Sequence, residues 1–129
     1  MEILYENEYI QIRLDIPHNC IEYQWKKHAP PEELKNLMGK VYSYVSVHGC
    51  TKLLPDLRNL KKLPDEVLLW TESEWLPLLV KQGVRIYAVV SANSSLSRDT
   101  TIKTSKNEFV ITTRYFEDVL KARSWLSRL

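Results

Sequence analysis

Asp56 lies near the end of "TKLLPDL", a segment that is typical of a short buried strand, and two more polar side chains, Arg58 and Asn59, directly follow it. Open α/β sheets bind ligands at the carboxyl ends of their strands, so these residues are candidates for binding a ligand or a partner. A structural role is the alternative, in which Asp56 and Asn59 bond to loop amides while Arg58 pairs with a nearby acid. The sequence leaves both interpretations open.

Two His-x-Cys pairs, His18 with Cys20 and His48 with Cys50, fall at the beginnings of predicted strands. If those strands run parallel, the four side chains share one edge of the sheet and could bind a soft metal such as zinc. His-x-Cys is not a usual zinc spacing, and cysteines are commonly small buried hydrophobic residues. We therefore predict no metal and no cofactor and keep the four residues as candidates. His48 also suits the negative end of a helix dipole.

Two tryptophans, Trp70 and Trp75, lie five residues apart in a predicted helix and point about 140° away from one another. The helix is apolar over most of its circumference, so one stripe must pack on the sheet and the other needs a second cover. Neighbouring helices or loops, a dimer interface, or an apolar pocket would each provide that cover. We expect Pro77 to kink or break the helix.

Catalytic motifs are missing from the chain. It contains no Gly-x-Ser-x-Gly elbow, no phosphate-binding glycine loop and no His-Glu-x-x-His pair. Glu72 and Glu74 lie on different helix faces, so they are not a glycosidase-type carboxylate pair. Arg98, in the serine-rich segment "SANSSLSRDTT", could bind an anionic group, although no neighbouring residue supports that role. We therefore expect a protein that is not an enzyme.

Charge and length restrict the class of protein further. The 129 residues carry 18 Lys and Arg against 16 Asp and Glu, and the basic residues are scattered, so nucleic acid is not an expected partner. No apolar run is long enough to span a bilayer, and the acidic N-terminus does not resemble a signal peptide. The length fits a single domain over residues 1–129. With only Cys20 and Cys50, we expect the protein to be located in the cytoplasm with free thiols.

The N-terminal half predicts a meander of strands followed by a helix. A short strand precedes two segments of alternating polarity, and residues 8 to 26 therefore indicate an antiparallel hairpin. The following segment begins with prolines and two glutamates and ends at Gly49, as an amphipathic helix does. Its predicted buried stripe consists of Leu34, Leu37, Met38, Val41 and Val45.

The C-terminal half predicts strand-helix units. A helix runs from Pro64 to Gly83, and "VRIYAVVSA" is a continuous β-rich run of the kind buried in parallel sheets. Residues 91 to 105 are expected to be a loop or short helix, "EFVITTRYF" is a last strand, and the closing helix covers Phe116 to Leu129. The fold class is therefore α/β, with an N-terminal antiparallel meander, three strand-helix units with right-handed crossovers, and a mixed sheet covered by helices. The closing helix has an apolar face formed by Phe116, Val119, Ala122, Leu126 and Leu129.

The segments "TKLLPDLRNLKKLPDE", "ESEWLPLLVKQGVRIYAVV" and "RYFEDVLKARSWL", in this order of elements, resemble the STAS or SpoIIAA-like domains of bacteria. The resemblance is to the small stand-alone STAS/SEC14-like proteins in particular and covers essentially the whole chain. Pro55 departs from the pattern, because a proline in a central strand removes a ladder donor and predicts a local bulge.

The resemblance implies a regulatory or protein-interaction module rather than a catalyst. In the anti-sigma-antagonist branch, an Asp-Leu at this strand end precedes an Asp-Ser-Ser motif in which a serine is phosphorylated. Counted from Asp56, that motif falls on Pro64, Asp65 and Glu66, which have no hydroxyl. The carboxylates of Asp65 and Glu66 would make this helix start a permanently charged form of the switch, favoured by the helix dipole.

We therefore expect a non-catalytic STAS-like module that binds a protein partner or forms a homodimer through the helix from Pro64 to Gln82. A carrier or sensor that binds a small apolar ligand between sheet and helix is the first alternative, and an unrecognised enzyme is the second. A partner module predicts an exposed apolar patch, and a carrier predicts a cavity of several hundred Å³. An enzyme predicts titratable side chains that converge in a cleft.

Overall fold

The computed structural model describes residues 1–60, 62–92, 99–103 and 110–129. Its strands are β1 (Glu2–Glu6), β2 (Ile10–Asp15), β3 (Cys20–Trp25), β4 (Lys52–Asp56), β5 (Ile86–Val90), β6 (Asp99–Lys103) and β7 (Val110–Phe116). They form a seven-stranded sheet in the order β1-β2-β3-β4-β5-β7-β6. The first three strands are antiparallel, β3, β4, β5 and β7 are parallel, and β6 is antiparallel to β7. The mixed α/β sheet and the hairpin over residues 8 to 26 are thus confirmed.

The first helix, α1, covers Pro31–His48 and follows the predicted pattern. Glu32 and Glu33 lie in its first turn, where the helix dipole favours negative charge. Gly49 ends it at φ 62°, a left-handed conformation that glycine adopts without strain, and its N–H donates to the Val45 carbonyl. All five residues of the predicted apolar stripe are buried.

Pro55 lies within β4, and the predicted bulge is wrong. The register of β4 is constant along both β3 and β5. Leu57 donates its N–H to the Val90 carbonyl on β5, and alternate residues of a strand face the same neighbour. The position of Pro55 is therefore one whose N–H would have faced β5, and the strand tolerates the missing donor without inserting a residue.

The second helical region, here the 65–81 helix, consists of α2 (Asp65–Trp70), a π turn (Thr71–Trp75) and α3 (Leu76–Lys81). In the π turn, the N–H of Leu76 donates to the Thr71 carbonyl five residues back. The following Pro77 has no N–H to continue the regular ladder. The predicted disturbance at Pro77 is therefore a π turn just before it, and the helix continues to Lys81.

The C-terminal region differs from the prediction in two ways. Part of the expected loop or helix over residues 91 to 105 is β6, whose β-branched "DTTIK" pairs with β7; Arg98 lies outside the described residues. In one of the three expected strand-helix units, the described residues after β5 therefore include a further strand. The closing helix, α4, covers only Val119–Leu126, because Phe116 ends β7 and the Asp118 side chain caps the helix by accepting from the Leu120 N–H.

Alternating strand residues divide the core between two faces of the sheet. The α1 face is covered by α1 and the 65–81 helix and contains the larger hydrophobic cluster, which includes Tyr23, Trp25 and Trp75. The α4 face contains a smaller cluster that α4 completes with Ala122 and Leu126. No helix in the described part of the chain is both long and apolar enough to cross a membrane.

Candidate functional site

The polar residues at the end of β4 and just after it bond to the ends of β4 and β3. The carboxylate of Asp56 accepts from the Arg58 side chain at 2.9 Å (Nε) and 2.7 Å (Nη2), and Asn59 Nδ2 donates to the Trp25 carbonyl at 3.1 Å. The hydrogen bond to Asp56 raises the pKa of Arg58 above its ordinary value. These bonds are the structural role that the sequence allowed. A role for Arg58 and Asn59, which are exposed, in binding a partner stays a prediction.

The start of the 65–81 helix is joined to α1 by an exposed contact. Glu66 Oε1 lies 3.1 Å from Lys35 Nζ, and the same ammonium lies 5.7 Å from the centre of the partly buried Trp70 ring. Asp65 is exposed beside them. The predicted charged helix start is therefore at the surface, where a partner can reach it.

Trp75 lies in the core, which corrects its prediction as a residue that binds a partner. Its side chain is 1% exposed, and its Nε1 donates to the Met38 carbonyl of α1 at 2.8 Å. Its ring meets Tyr23 edge-on at a centroid distance of 6.5 Å. An indole that is buried and bonded in this way fixes the helix against α1 and offers no surface to a partner.

Leucines, and not tryptophans, form the outer apolar face of the 65–81 helix. Leu69 is 66% exposed, and Leu68 and Leu78 are 41% and 43% exposed. The sequence showed an apolar circumference but did not assign its outer side. The π turn rotates the residues after it relative to regular helix spacing, so spacing alone could not order them.

Two adjoining cavities of about 130 Å³ each lie between the 65–81 helix and the sheet. Leu68 and Thr71 from the helix and Tyr87 from β5 line both of them. The β3 cavity is further lined by Tyr23, Trp25, Leu34, Met38, and by Leu57, Leu60 and Leu63 of the loop after β4. The β7 cavity is further lined by Glu72, Leu76, Ile111, Thr113 and Tyr115.

A pair of tyrosine hydroxyls is part of the cavity walls. The hydroxyl oxygens of Tyr23 and Tyr87 are 3.1 Å apart. Burial raises the pKa of Tyr23 well above its ordinary value and that of Tyr87 to about 12. Both groups are therefore protonated at neutral pH and keep their hydrogens available for hydrogen bonding.

Thr113 is a polar residue that sequence reasoning missed. It lies on β7 between Ile111 and Tyr115, is 1% exposed, and lines the β7 cavity. Its hydroxyl has no hydrogen-bond partner in the described structure. The signal in the sequence was its place in the alternation of "VITTRYF", where it shares the inward side with Ile111.

The α4 face carries a buried ion cluster. Glu22 on β3 is fully buried and accepts from Arg13 Nη2 at 3.1 Å and from Arg123 Nε and Nη2 at 2.9 Å each. The hydrogen bonds to Glu22 raise the pKa of Arg123. Both carboxylate oxygens are thus occupied. Arg13 and Glu22 are opposite one another in the β2–β3 register, so the hairpin could have revealed that pair, although not Arg123.

The four metal candidates do not come together. Cys20 belongs to the cluster on the α4 face and Cys50 to the cluster on the α1 face, and burial raises the pKa of both free thiols. His18 Nδ1 lies 2.7 Å from Asp15 Oδ2, and His48 is exposed in the last turn of α1. The described residues include no group of three or more side chains placed to hold a metal.

No family model, curated protein or solved structure matches this chain. The resemblance to STAS domains therefore stays a prediction from the sequence. The geometry of the cavities and of the 65–81 helix is what supports a function.

Proposed function

We propose that this protein is a non-catalytic regulatory module of the STAS-like type that senses a small apolar molecule held between its sheet and the 65–81 helix. The observation that carries the proposal is the pair of adjoining cavities beneath that helix. The proposal joins the regulatory role that the resemblance implies to the ligand-binding alternative. It also assigns one structural element, the 65–81 helix, to both roles.

The walls of the cavities suit a ligand of this kind. Protein interiors are close-packed, so two adjoining hollows beside the core, each partly open to solvent, are a place where a small ligand can be held. Leucine, tryptophan and tyrosine side chains form most of the walls, with few polar groups, as in small-molecule sites. Each cavity is below the several hundred Å³ expected for a carrier of a large molecule. A dry cavity of roughly 150 Å³ in another protein holds one benzene, so each cavity fits one ring-sized group.

The 65–81 helix connects the cavities to the surface. Thr71, the first residue of the π turn, lines both cavities, and π turns are frequent at functional sites. Leu68 also lines both cavities, and 41% of its side chain is exposed at the surface. A ligand that moves Leu68 or Thr71 therefore changes the surface that a partner meets, which is how a sensor passes on its signal.

The direct test compares two neighbouring substitutions on this helix. Benzene titrated into the ¹⁵N-labelled protein should shift the amide signals of Thr71 and Tyr87, and Leu68→Trp should weaken that binding by filling the junction of the cavities. Leu69→Trp is the matched control, because Leu69 faces outward and lines neither cavity. No shift at these residues with millimolar benzene, or equal weakening by the two variants, would reject the site.

A protein-interaction module is the second candidate, and the exposed leucines of the 65–81 helix favour it. The occupant to test first is a second copy of the chain, because a two-fold interface needs only this one apolar face. Sedimentation should then show a dimer that Leu69→Glu converts to monomer. Leu120→Glu on α4 is the control, since Leu120 has the same 66% exposure. Wild-type protein that stays monomeric at high concentration would exclude the homodimer.

A further inference from the structure

Three hydroxyl groups lie in the walls of the two cavities with incomplete hydrogen bonding. Thr113 Oγ1 has no partner in the described structure. Among the described residues, Tyr23 and Tyr87 share a single O–H···O contact, so the pair has two hydroxyl hydrogens but uses only one between the two oxygens. Buried polar groups are nearly always bonded in native proteins, so the unbonded hydroxyl of the fully buried Thr113 requires a reason, and the half-buried Tyr87 hydroxyl has capacity for a further bond.

We infer that the ligand is an uncharged molecule with a ring-sized apolar group and one carbonyl or hydroxyl oxygen that bonds to the hydroxyls of Tyr87 and Thr113. The inference rests on the proposed ligand-binding function and specifies the chemical class of the ligand. The apolar group fills one cavity, and the oxygen lies near the wall that Tyr87 shares between the two. The ligand then supplies an acceptor for the unused tyrosine hydrogen and a partner for Thr113.

The charges around the cavities favour a neutral ligand. The ionisable residues that line them are Glu72 and the three tyrosines Tyr23, Tyr87 and Tyr115; no lysine, arginine or histidine is among the described lining residues. A carboxylate ligand would lose its hydration without gaining a cation, and it would lie near the Glu72 side chain. A neutral oxygen avoids both penalties and still accepts a hydrogen bond from the protonated Tyr87.

The size of the site limits the ligand in the same way. Each cavity has a volume of about 130 Å³, close to what one aromatic ring occupies in a dry protein cavity. Leu68, Thr71 and Tyr87 stand between the two cavities, so a substituent on the ring can extend from one toward the other. Substituted phenols, aromatic ketones and cyclic alcohols have this shape.

Benzene, phenol and benzoate form a matched set of probes, because they differ only in the group attached to the ring. We expect wild-type protein to bind phenol about ten-fold more tightly than benzene, which corresponds to the net gain of one buried hydrogen bond. Benzoate should bind more weakly than phenol. Thr113→Val and Tyr87→Phe keep the shape of their side chains, and each should reduce the preference for phenol to about three-fold or less without weakening benzene.

A control separates this inference from the proposed function. Tyr44→Phe removes a hydroxyl that donates to the Leu4 carbonyl outside the cavity walls, so the preference for phenol should not change. Equal affinities for benzene and phenol, or a preference that survives both Thr113→Val and Tyr87→Phe, would overturn the inference and leave an apolar site in place. Absence of binding by benzene and phenol alike would overturn the site itself, and circular dichroism shows whether each variant is folded.

Discussion

The two faces of the sheet differ in how well their space is filled and in how their buried polar groups are bonded. The α1 face is apolar, yet two cavities and incompletely bonded hydroxyls remain beneath the 65–81 helix. The α4 face buries a carboxylate, yet both oxygens of Glu22 are bonded by arginines. A ligand site is therefore expected on the α1 face, where space is unfilled and hydroxyls lack partners, and not on the α4 face, where the buried charge is fully bonded.

The helices on the two faces are also held in place by different kinds of contact. Trp75 fixes the 65–81 helix to α1 by packing and by one hydrogen bond to a backbone carbonyl. Arg123 joins α4 to β3 through two hydrogen bonds to Glu22. The first connection depends on filled volume and the second on charge, so substitutions should affect the two faces in different ways.

The largest expected effect is the loss of packing on the α1 face. Trp75→Ala removes a fully buried ring and its hydrogen bond to Met38, beside cavities that already exist, and should lower the free energy of unfolding by about 4 kcal/mol. Trp70→Ala, at a partly exposed indole, should cost only about 1 kcal/mol. Urea denaturation measures both values. Similar losses for the two variants would mean that Trp75 is not the anchor of this face.

The next effect tests whether the α4 face depends on charge. Glu22→Ala leaves the guanidinium groups of Arg13 and Arg123 without their buried partner, and we expect a loss of about 3 kcal/mol in urea denaturation. Glu8→Ala removes an exposed partner of Lys27 and should leave stability nearly unchanged. If Glu22→Ala is as harmless as Glu8→Ala, the contrast between the two faces does not hold.

A smaller effect appears at high pH and belongs to the α1 face. The folded protein raises the pKa of Tyr87 from 10 to about 12, so between these values the unfolded chain releases a proton that the folded protein retains. The resulting stabilisation is complete below pH 10 and is lost as the pH rises toward 12. Between pH 9 and pH 11, the free energy of unfolding measured by urea denaturation should therefore fall by about 1–2 kcal/mol less in Tyr87→Phe than in wild type. Identical pH dependence of the two proteins would contradict the burial of this hydroxyl.

The smallest effect on stability is expected at the exposed helix start. Replacing Asp65 and Glu66 by serine removes the Lys35 contact and two first-turn carboxylates, at a cost of less than about 1 kcal/mol in thermal or urea unfolding. If this surface is a permanently charged switch, the same double variant should weaken partner binding far more. Residues 60 to 70 contain no serine, threonine or tyrosine, so an anti-sigma-type serine kinase should leave them unmodified in mass spectrometry. If the double variant binds its partner as well as wild type, Asp65 and Glu66 are not a regulatory surface and "LPDE" is an ordinary helix start.

The local elements were largely predictable from the sequence. The hairpin over residues 8 to 26, the buried stripe of α1 and its end at Gly49 were all confirmed. Each depends on residues a few positions apart, through alternation, 3.6-residue spacing or a left-handed glycine. The strand β6 was missed because a short threonine-rich segment is stable as a strand only when β7 pairs with it.

The sequence by itself determined which segments are strands and helices, apart from β6 and the extent of α4, and, for most of them, which side faces the core. Only the tertiary structure decided that Trp75 is an anchor, that Cys20 and Cys50 lie on opposite faces, and that Glu22 meets Arg123. It also decided where space remains, between Tyr87, Thr113 and the π turn of the 65–81 helix. The physical reason is that cavities and unpaired hydroxyls arise from the fit of side chains distant in sequence, whereas hydrophobic patterns report only neighbours along the chain.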